Sequence, residues 1–104
     1  MGGGTYSSFF RKGNGDCSNV IIRTQLFSPD REVLKKIKSG YQMEMKLSGS
    51  NGPIVALFEG EVAGTIITKD LLQLITCMNS GFKFIAIVRS IDSGACAITI
   101  KSIQ

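Results

Sequence analysis

The sequence predicts an α+β domain built on a small, mainly antiparallel β-barrel of six strands with two helices. The strand-like segments are short, and only two segments have helical periodicity. The three direct connections between strands are too short for the crossovers that a parallel sheet needs. Because two helices cannot cover both faces of a six-stranded sheet, the sheet is expected to curl into an OB-like barrel. The predicted order is β-α-β-β-β-α-β-β.

The chain has 104 residues, a length that suits a single domain. Residues 1–18 are rich in glycine and serine and predict a flexible tail, followed by one barrel-like domain over residues 19–104. No segment reaches the roughly 18 apolar residues that cross a bilayer, and the N-terminus has no apolar signal-peptide core. We therefore expect a cytoplasmic protein without membrane contact.

The residue inventory argues against an enzyme. The chain has no histidine, which excludes a Ser-His-Asp triad, a Cys-His pair and His-containing zinc sites within it. Seven of the eight carboxylates are accounted for by helix starts, a hairpin, a turn and one exposed strand position, and Asp16 falls in the predicted tail; none is paired as a catalytic pair or a metal cage would require. The sequence predicts no catalytic residue, no cofactor and no metal site.

The three cysteines, Cys17, Cys77 and Cys96, share no C-x-x-C spacing. An odd and scattered set of thiols is typical of a reducing compartment. Cys77 and Cys96 are expected to be small buried hydrophobic residues.

The first half of the predicted domain begins with a strand over residues 20–26. The sequence Ser28-Pro29-Asp30 predicts a helix start with Ser28 as the N-cap. This helix should run to about Ser39, with Gly40 ending it and with Val33, Leu34 and Ile37 on its buried side. Phe27 is expected to pack on this helix as a hydrophobic staple.

The remaining elements follow from alternation, apolar runs and turn residues. Strands are predicted over residues 41–47, 53–58, 61–67, 82–88 and 95–101, with tight turns at Glu59-Gly60 and at residues 92–94. Thr68 is the predicted cap of a second helix, which runs from Asp70 to Asn79 and presents residues 71, 74, 75 and 78 on one face. The aromatic residues at 41, 58, 82 and 84 are expected in the core.

The basic residues are the strongest functional signal. Arg31, Lys35 and Lys38 fall at i, i+4 and i+7 of the predicted helix, which places three cations along one face. Such a stripe either binds phosphates or is simply a solvated helix face. A neighbouring cation, Lys36, is expected to pair with Glu32. Further cations stand at Arg11, Lys12, Arg23 and Lys46. Tyr41 is the best candidate for an exposed ring that could stack on a base.

From residue 20 onward the layout resembles the HIRAN domain, a small module attached to chromatin-remodelling helicases and nucleases that also occurs alone in bacteria and phages. The first strand, the strand that follows Gly40 and the helix over residues 70–79 occupy matching places. The closest stretches are Asn51-Gly52-Pro53-Ile54-Val55-Ala56-Leu57 and the hairpin Glu59-Gly60-Glu61-Val62-Ala63-Gly64-Thr65-Ile66. These look like the family's asparagine–proline turn, "A-I-x-V" strand and "G-x-x-V-G-x-L" hairpin.

The resemblance implies an OB-like barrel that binds single-stranded DNA, often at a 3′ end. Arg23 stands where the family has a pocket arginine, whereas Thr24 and Gln25 stand where it has aromatic residues. Lys69 is the first basic residue after the hairpin glycine. The predicted nucleic-acid-binding residues are Arg23, Arg31, Lys35, Lys38, Tyr41 and Lys69.

Two other functions compete with nucleic-acid binding. The strands over residues 53–58 and 82–88 are very apolar, and an uncovered edge strand would pair with a partner protein or a second copy of the chain. Alternatively, the mouth of the barrel could sequester a nucleotide or another small anion without turnover.

Overall fold

A computed structural model describes residues 17–103 and confirms the predicted class and order of elements. The strands pair antiparallel into a closed barrel in the order β1-β4-β3-β2-β5-β6, with β6 pairing back onto β1. The elements are β1 (Ile21–Phe27), α1 (Arg31–Leu34), β2 (Gln42–Leu47), β3 (Ile54–Phe58), β4 (Glu61–Ile66), α2 (Leu71–Asn79), β5 (Lys83–Asp92) and β6 (Ala95–Ile103).

Side chains alternate between the interior and the exterior of the barrel, as strand geometry requires. On β6, for example, Cys96, Ile98 and Ile100 point inward and are fully buried, while the residues between them face outward. Every described strand contributes inward side chains to one apolar core, and no polar or charged residue among residues 17–103 is buried. Of the four aromatic residues expected in the core, Phe84 is buried and Phe58 and Phe82 are half-buried, whereas Tyr41 is exposed.

The two predicted tight turns form as two-residue hairpin loops. Glu59 and Gly60 have φ values of 51° and 85°, and Ser93 and Gly94 have 52° and 85°. Positive φ at both loop positions matches the twist of the flanking antiparallel strands. The second turn joins strands that are longer than predicted, since β5 extends to Asp92 and β6 to Ile103.

Gly64 is a packing requirement of the barrel. Here β4 passes so close to β1 that a Cβ atom at position 64 would lie 3.1 Å from the Cβ of Leu26 and 3.3 Å from the carbonyl oxygen of Phe27. The β3–β4 register shifts immediately beside Gly64, between Ala56 and Leu57. A side chain at position 64 would therefore push the two strands apart.

The prediction for the first helix was wrong in its cap and its length. Asp30 is the N-cap, and its carboxylate accepts hydrogen bonds from the backbone N–H groups of Glu32 and Val33. The helix ends at Leu34 rather than at Ser39, because the chain then tightens into i→i−3 hydrogen bonds that bring Ile37 into the core. Ser28, the expected cap, lies outside the helix with φ 48°.

Two further contacts expected around α1 are not observed. The Nζ of Lys35 lies 3.2 Å from a carboxylate oxygen of Glu32, whereas the Nζ of Lys36 lies 2.6 Å from a carboxylate oxygen of Glu61 at the start of β4. The expected Glu32–Lys36 pair is therefore wrong. Phe27 is 59% exposed rather than stapled onto the helix.

The second helix forms close to its predicted bounds, but one cysteine prediction fails. Its N-cap is Asp70, and the hydroxyl of Thr68 accepts a hydrogen bond from the Asp70 backbone N–H. Cys77 of α2 is buried, as predicted, but it is not a free thiol, because it forms a disulfide with Cys17. Cys96 is free and fully buried, as predicted. The bond removes the cysteine-based argument for a reducing compartment, and a cytoplasmic location stays a prediction.

The start of the described chain is packed against the barrel. Cys17 is buried, and the Ser18 carbonyl accepts a hydrogen bond of 2.6 Å from the Ser102 hydroxyl. Residues 1–16 of the predicted tail lie outside the described residues. None of the helices in the described part of the chain has the length and apolar character needed to span a bilayer.

Candidate nucleic-acid interface

The charges of the described residues are divided unevenly between the two ends of the barrel. The α1 end has five basic and five acidic side chains: Arg31, Lys35, Lys36, Lys38 and Arg89 against Asp30, Glu32, Glu59, Glu61 and Asp92. The rest of the domain has five basic and two acidic side chains: Arg23, Lys46, Lys69, Lys83 and Lys101 against Glu44 and Asp70. The excess positive charge of the described domain therefore lies away from α1.

The predicted stripe of Arg31, Lys35 and Lys38 does not form. Because α1 ends at Leu34, Lys38 lies in the following loop and shares no helix face with the other two. Arg31 and Lys35 do line a common open cavity of about 430 Å³ beside the β5–β6 turn. Lys35 is bound there to Glu32, so the charge on this surface is partly neutralised.

The other three predicted residues are spread over the domain. Tyr41 is 41% exposed, and its ring stacks on Phe58 with 5.8 Å between the centroids. Lys69 is exposed in the connection between β4 and α2. Arg23 is exposed on the outer side of β1. The structure therefore does not bring the six predicted residues together.

A different set of cations does share one surface. Four basic residues point outward from the adjacent strands β1, β6, β5 and β2, and we call this set the basic face: Arg23, Lys101, Lys83 and Lys46. Glu44 is the carboxylate that stands among them. Among residues 17–103 the two ion pairs are Lys35–Glu32 and Lys36–Glu61, so neither includes a residue of the basic face.

The strand registers fix the arrangement of this face. Arg23 lies opposite Thr99, and Thr99 lies opposite Ile87. In the next outward row, Lys101 stands between Ile21 of β1 and Ile85 of β5. Lys83 lies opposite Ile103 at the end of the same strand pair. The cations are thus interleaved with aliphatic side chains, and Ile21 and Ile103 are strongly exposed.

A groove opens through the basic face where β2 and β5 separate. The ladder between them ends at the Glu44–Ile85 pair, and the next outward residues on the two strands are Lys46 and Lys83. Both lysines line the groove, which has a volume of about 600 Å³. The apolar part of its lining includes Leu47 of β2, Met78 of α2, Phe82 and Ile103.

Reasoning from the sequence identified part of this surface. It selected Arg23 and noted Lys46, but it missed Lys83 and Lys101. Lys83 directly precedes inward-facing Phe84, and Lys101 directly follows inward-facing Ile100. Because side chains alternate along a strand, both lysines must face outward, and the sequence pattern could have indicated this. That β5 and β6 bring them beside Lys46 and Arg23 follows from barrel order, which no local pattern predicts.

No three His, Cys, Asp or Glu side chains among residues 17–103 lie close enough to hold a metal ion. Burial raises the pKa of the Cys96 thiol, which disfavours the reactive thiolate. The surface offers cations, hydroxyls and apolar side chains, which suit binding.

Comparison with protein-family models, with curated proteins and with solved structures finds no match to this chain. The resemblance to the HIRAN domain stays a prediction.

Proposed function

We propose that this protein is a non-catalytic nucleic-acid-binding module that contacts its ligand, with single-stranded DNA favoured, through the basic face. The observation that carries the proposal is the cluster of Arg23, Lys46, Lys83 and Lys101 on four adjacent strands, where Glu44 is the one carboxylate contributed by residues 17–103. Unpaired cations attract the phosphates of a nucleic-acid strand and release its counterions. The interleaved aliphatic side chains give sugars and bases an apolar surface.

The test compares two triple variants that remove the same charge. The face variant is Lys46→Gln, Lys83→Gln and Lys101→Gln; the matched control is Arg31→Gln, Lys35→Gln and Lys38→Gln. Binding of labelled single-stranded DNA, duplex DNA and RNA is followed by fluorescence anisotropy as salt is raised. Three contacts to single-strand phosphates correspond to a salt slope of about −2, or about 20-fold weaker binding between roughly 50 and 200 mM salt.

The face variant should lose affinity and lose that part of the salt slope, whereas the control should bind like the unmodified protein. Equal losses in the two variants would show that overall charge, and not the basic face, controls binding. A loss confined to the control would move the interface to the α1 end. Failure of the unmodified protein to bind any of the three nucleic acids at low salt would overturn the proposal.

A second candidate function is self-association or protein binding. In the closed barrel no described strand has an edge that is unpaired along its whole length. Pairing of a partner strand with a free sheet edge is therefore not expected. Exposed apolar side chains favour a side-chain interface instead, since Leu72 of α2 is 79% exposed and Ile67 is 49% exposed. Light scattering should then show a concentration-dependent dimer that Leu72→Gln abolishes, and a strict monomer would exclude the homo-oligomer.

A further inference from the structure

The mouth of the β2–β5 groove places two positive charges on neighbouring strands. Lys46 and Lys83 are the first outward residues beyond the last paired position, and both are exposed. Like charges on adjacent strands repel, and neither lysine belongs to an ion pair among the described residues. Glu44, at that last paired position, also lines the groove and offsets one of the two charges, so the three side chains together remain positive. An anion held between the lysines would relieve the remaining repulsion.

The inside of the same groove has a different chemical character. Phe82 and Met78 line it and are only half-buried, and Leu47 and Ile103 add aliphatic surface. An inorganic anion would satisfy the two lysines and leave this apolar lining in water. A ligand that matches the whole groove therefore combines an anionic group with a flat apolar body.

A single nucleotide unit of a nucleic-acid strand has both parts. We propose that the groove accepts one unpaired base against Phe82 and Met78 while an adjoining phosphate lies between Lys46 and Lys83. This inference rests on the proposed function, because the groove opens through the basic face. The volume of about 600 Å³ falls in the usual range of ligand pockets. A duplex would have to unstack a base to use the groove, so the groove selects single strands.

The test varies the base and the protein together. An oligothymidine and an abasic oligomer of equal length carry the same phosphates, and only the first carries bases. Anisotropy is measured with the unmodified protein, with Phe82→Leu and with the matched control Phe27→Leu, which changes an exposed aromatic side chain at the other end of the barrel. Thermal unfolding checks that each variant is folded.

The unmodified protein should bind the oligothymidine about tenfold more tightly than the abasic oligomer, the size expected for one stacked base. Phe82→Leu should remove most of this preference without changing the affinity for the abasic oligomer, and Phe27→Leu should change neither. Equal affinity of the unmodified protein for the two oligomers, or an equal loss for both in Phe82→Leu, would overturn the inference and leave the proposed function standing. Absence of binding to both oligomers at low salt would overturn the proposed function itself.

A competition experiment distinguishes a nucleotide from an acidic peptide, which could also bind two lysines beside an apolar surface. Thymidine 5′-monophosphate should displace the oligothymidine more effectively than a hexaglutamate peptide at the same concentration. The reverse order would assign the groove to an acidic peptide and overturn the inference.

Discussion

The two ends of the barrel are each covered by a helix, but different interactions hold the two helices in place. The four-residue α1 buries Val33 and Leu34 and adds polar contacts, namely the Asp30 cap and the neighbouring Lys36–Glu61 pair. The nine-residue α2 has no side-chain cap hydrogen bond and is held by buried Leu74 and Ile75 and by the Cys17–Cys77 disulfide. Two cations at the α1 end, Lys35 and Lys36, are therefore paired within the structure, whereas neither ion pair of the described residues includes a cation of the basic face.

The largest expected effect is the loss of the covalent link at the α2 end. The disulfide joins residues 60 positions apart, and closing a loop of that length contributes about 4 kcal/mol on the chain-entropy account. Urea unfolding with and without a reducing agent should show a loss approaching this size. Hydrogen exchange should accelerate in α2 more than in α1.

The control for reduction is the double variant Cys17→Ser, Cys77→Ser, whose stability should not respond to reducing agent. An unchanged urea midpoint on reduction of the unmodified protein would mean that burial alone holds α2. The conclusion that the disulfide holds α2 more firmly than polar contacts hold α1 would then be wrong.

The next effect tests packing rather than attachment. Gly64→Val should destabilise the protein by about 1–3 kcal/mol, because the added side chain collides with Leu26 and the Phe27 carbonyl. Gly49→Ala is the control, since a Cβ there meets only the Gly52 carbonyl oxygen at an ordinary 3.6 Å. Chemical denaturation measures both variants, and equal values would show that β1 and β4 can move apart at little cost.

A smaller effect distinguishes the two helix starts. Asp30→Ala removes two hydrogen bonds to backbone N–H groups and should cost about 1 kcal/mol. Asp70→Ala should cost clearly less, because the Asp70 side chain makes no cap hydrogen bond. If denaturation gives the two substitutions the same cost, the cap does not explain why α1 begins at Arg31.

The smallest effect concerns the exposed Lys36–Glu61 pair. The hydrogen bond to Glu61 and the attraction of its charge raise the pKa of Lys36 above its ordinary value. A raised pKa means that the pair stabilises the fold at neutral pH and that this contribution is lost as the pH rises through the Lys36 pKa. NMR titration should show that Glu61→Gln lowers the Lys36 pKa, and high salt should reduce the difference. An identical Lys36 pKa in both proteins would show that the pair does not persist in solution.

Local sequence signals predicted where elements occur better than where they end. Apolar alternation, the turn residues at 59–60 and 93–94 and the periodicity of α2 located the strands, hairpins and second helix. The end of α1 could not be read in the same way, because its last predicted turn is replaced by tighter hydrogen bonds that bury Ile37 under the barrel. Tertiary burial outweighed helix propensity there.

The candidate site was less predictable than the fold. The i, i+4, i+7 spacing of Arg31, Lys35 and Lys38 had meaning only if the helix continued past Leu34. The basic face combines residues 23, 46, 83 and 101, which are distant in sequence and adjacent only through strand order. The disulfide likewise depends on the position of residue 17 beside α2, which no cysteine spacing indicates.

Closure of the barrel through β1 and β6 also determines when this protein can finish folding. Ile21 lies opposite Lys101, so the first described strand must wait for the last before its ladder can form. During synthesis β1 is available well before β6 and exposes unpaired backbone groups in the meantime. Such long-range pairing folds slowly, typically in milliseconds to seconds. Until β6 is synthesised, the β1 edge that it covers in the barrel is therefore open to pairing with another chain.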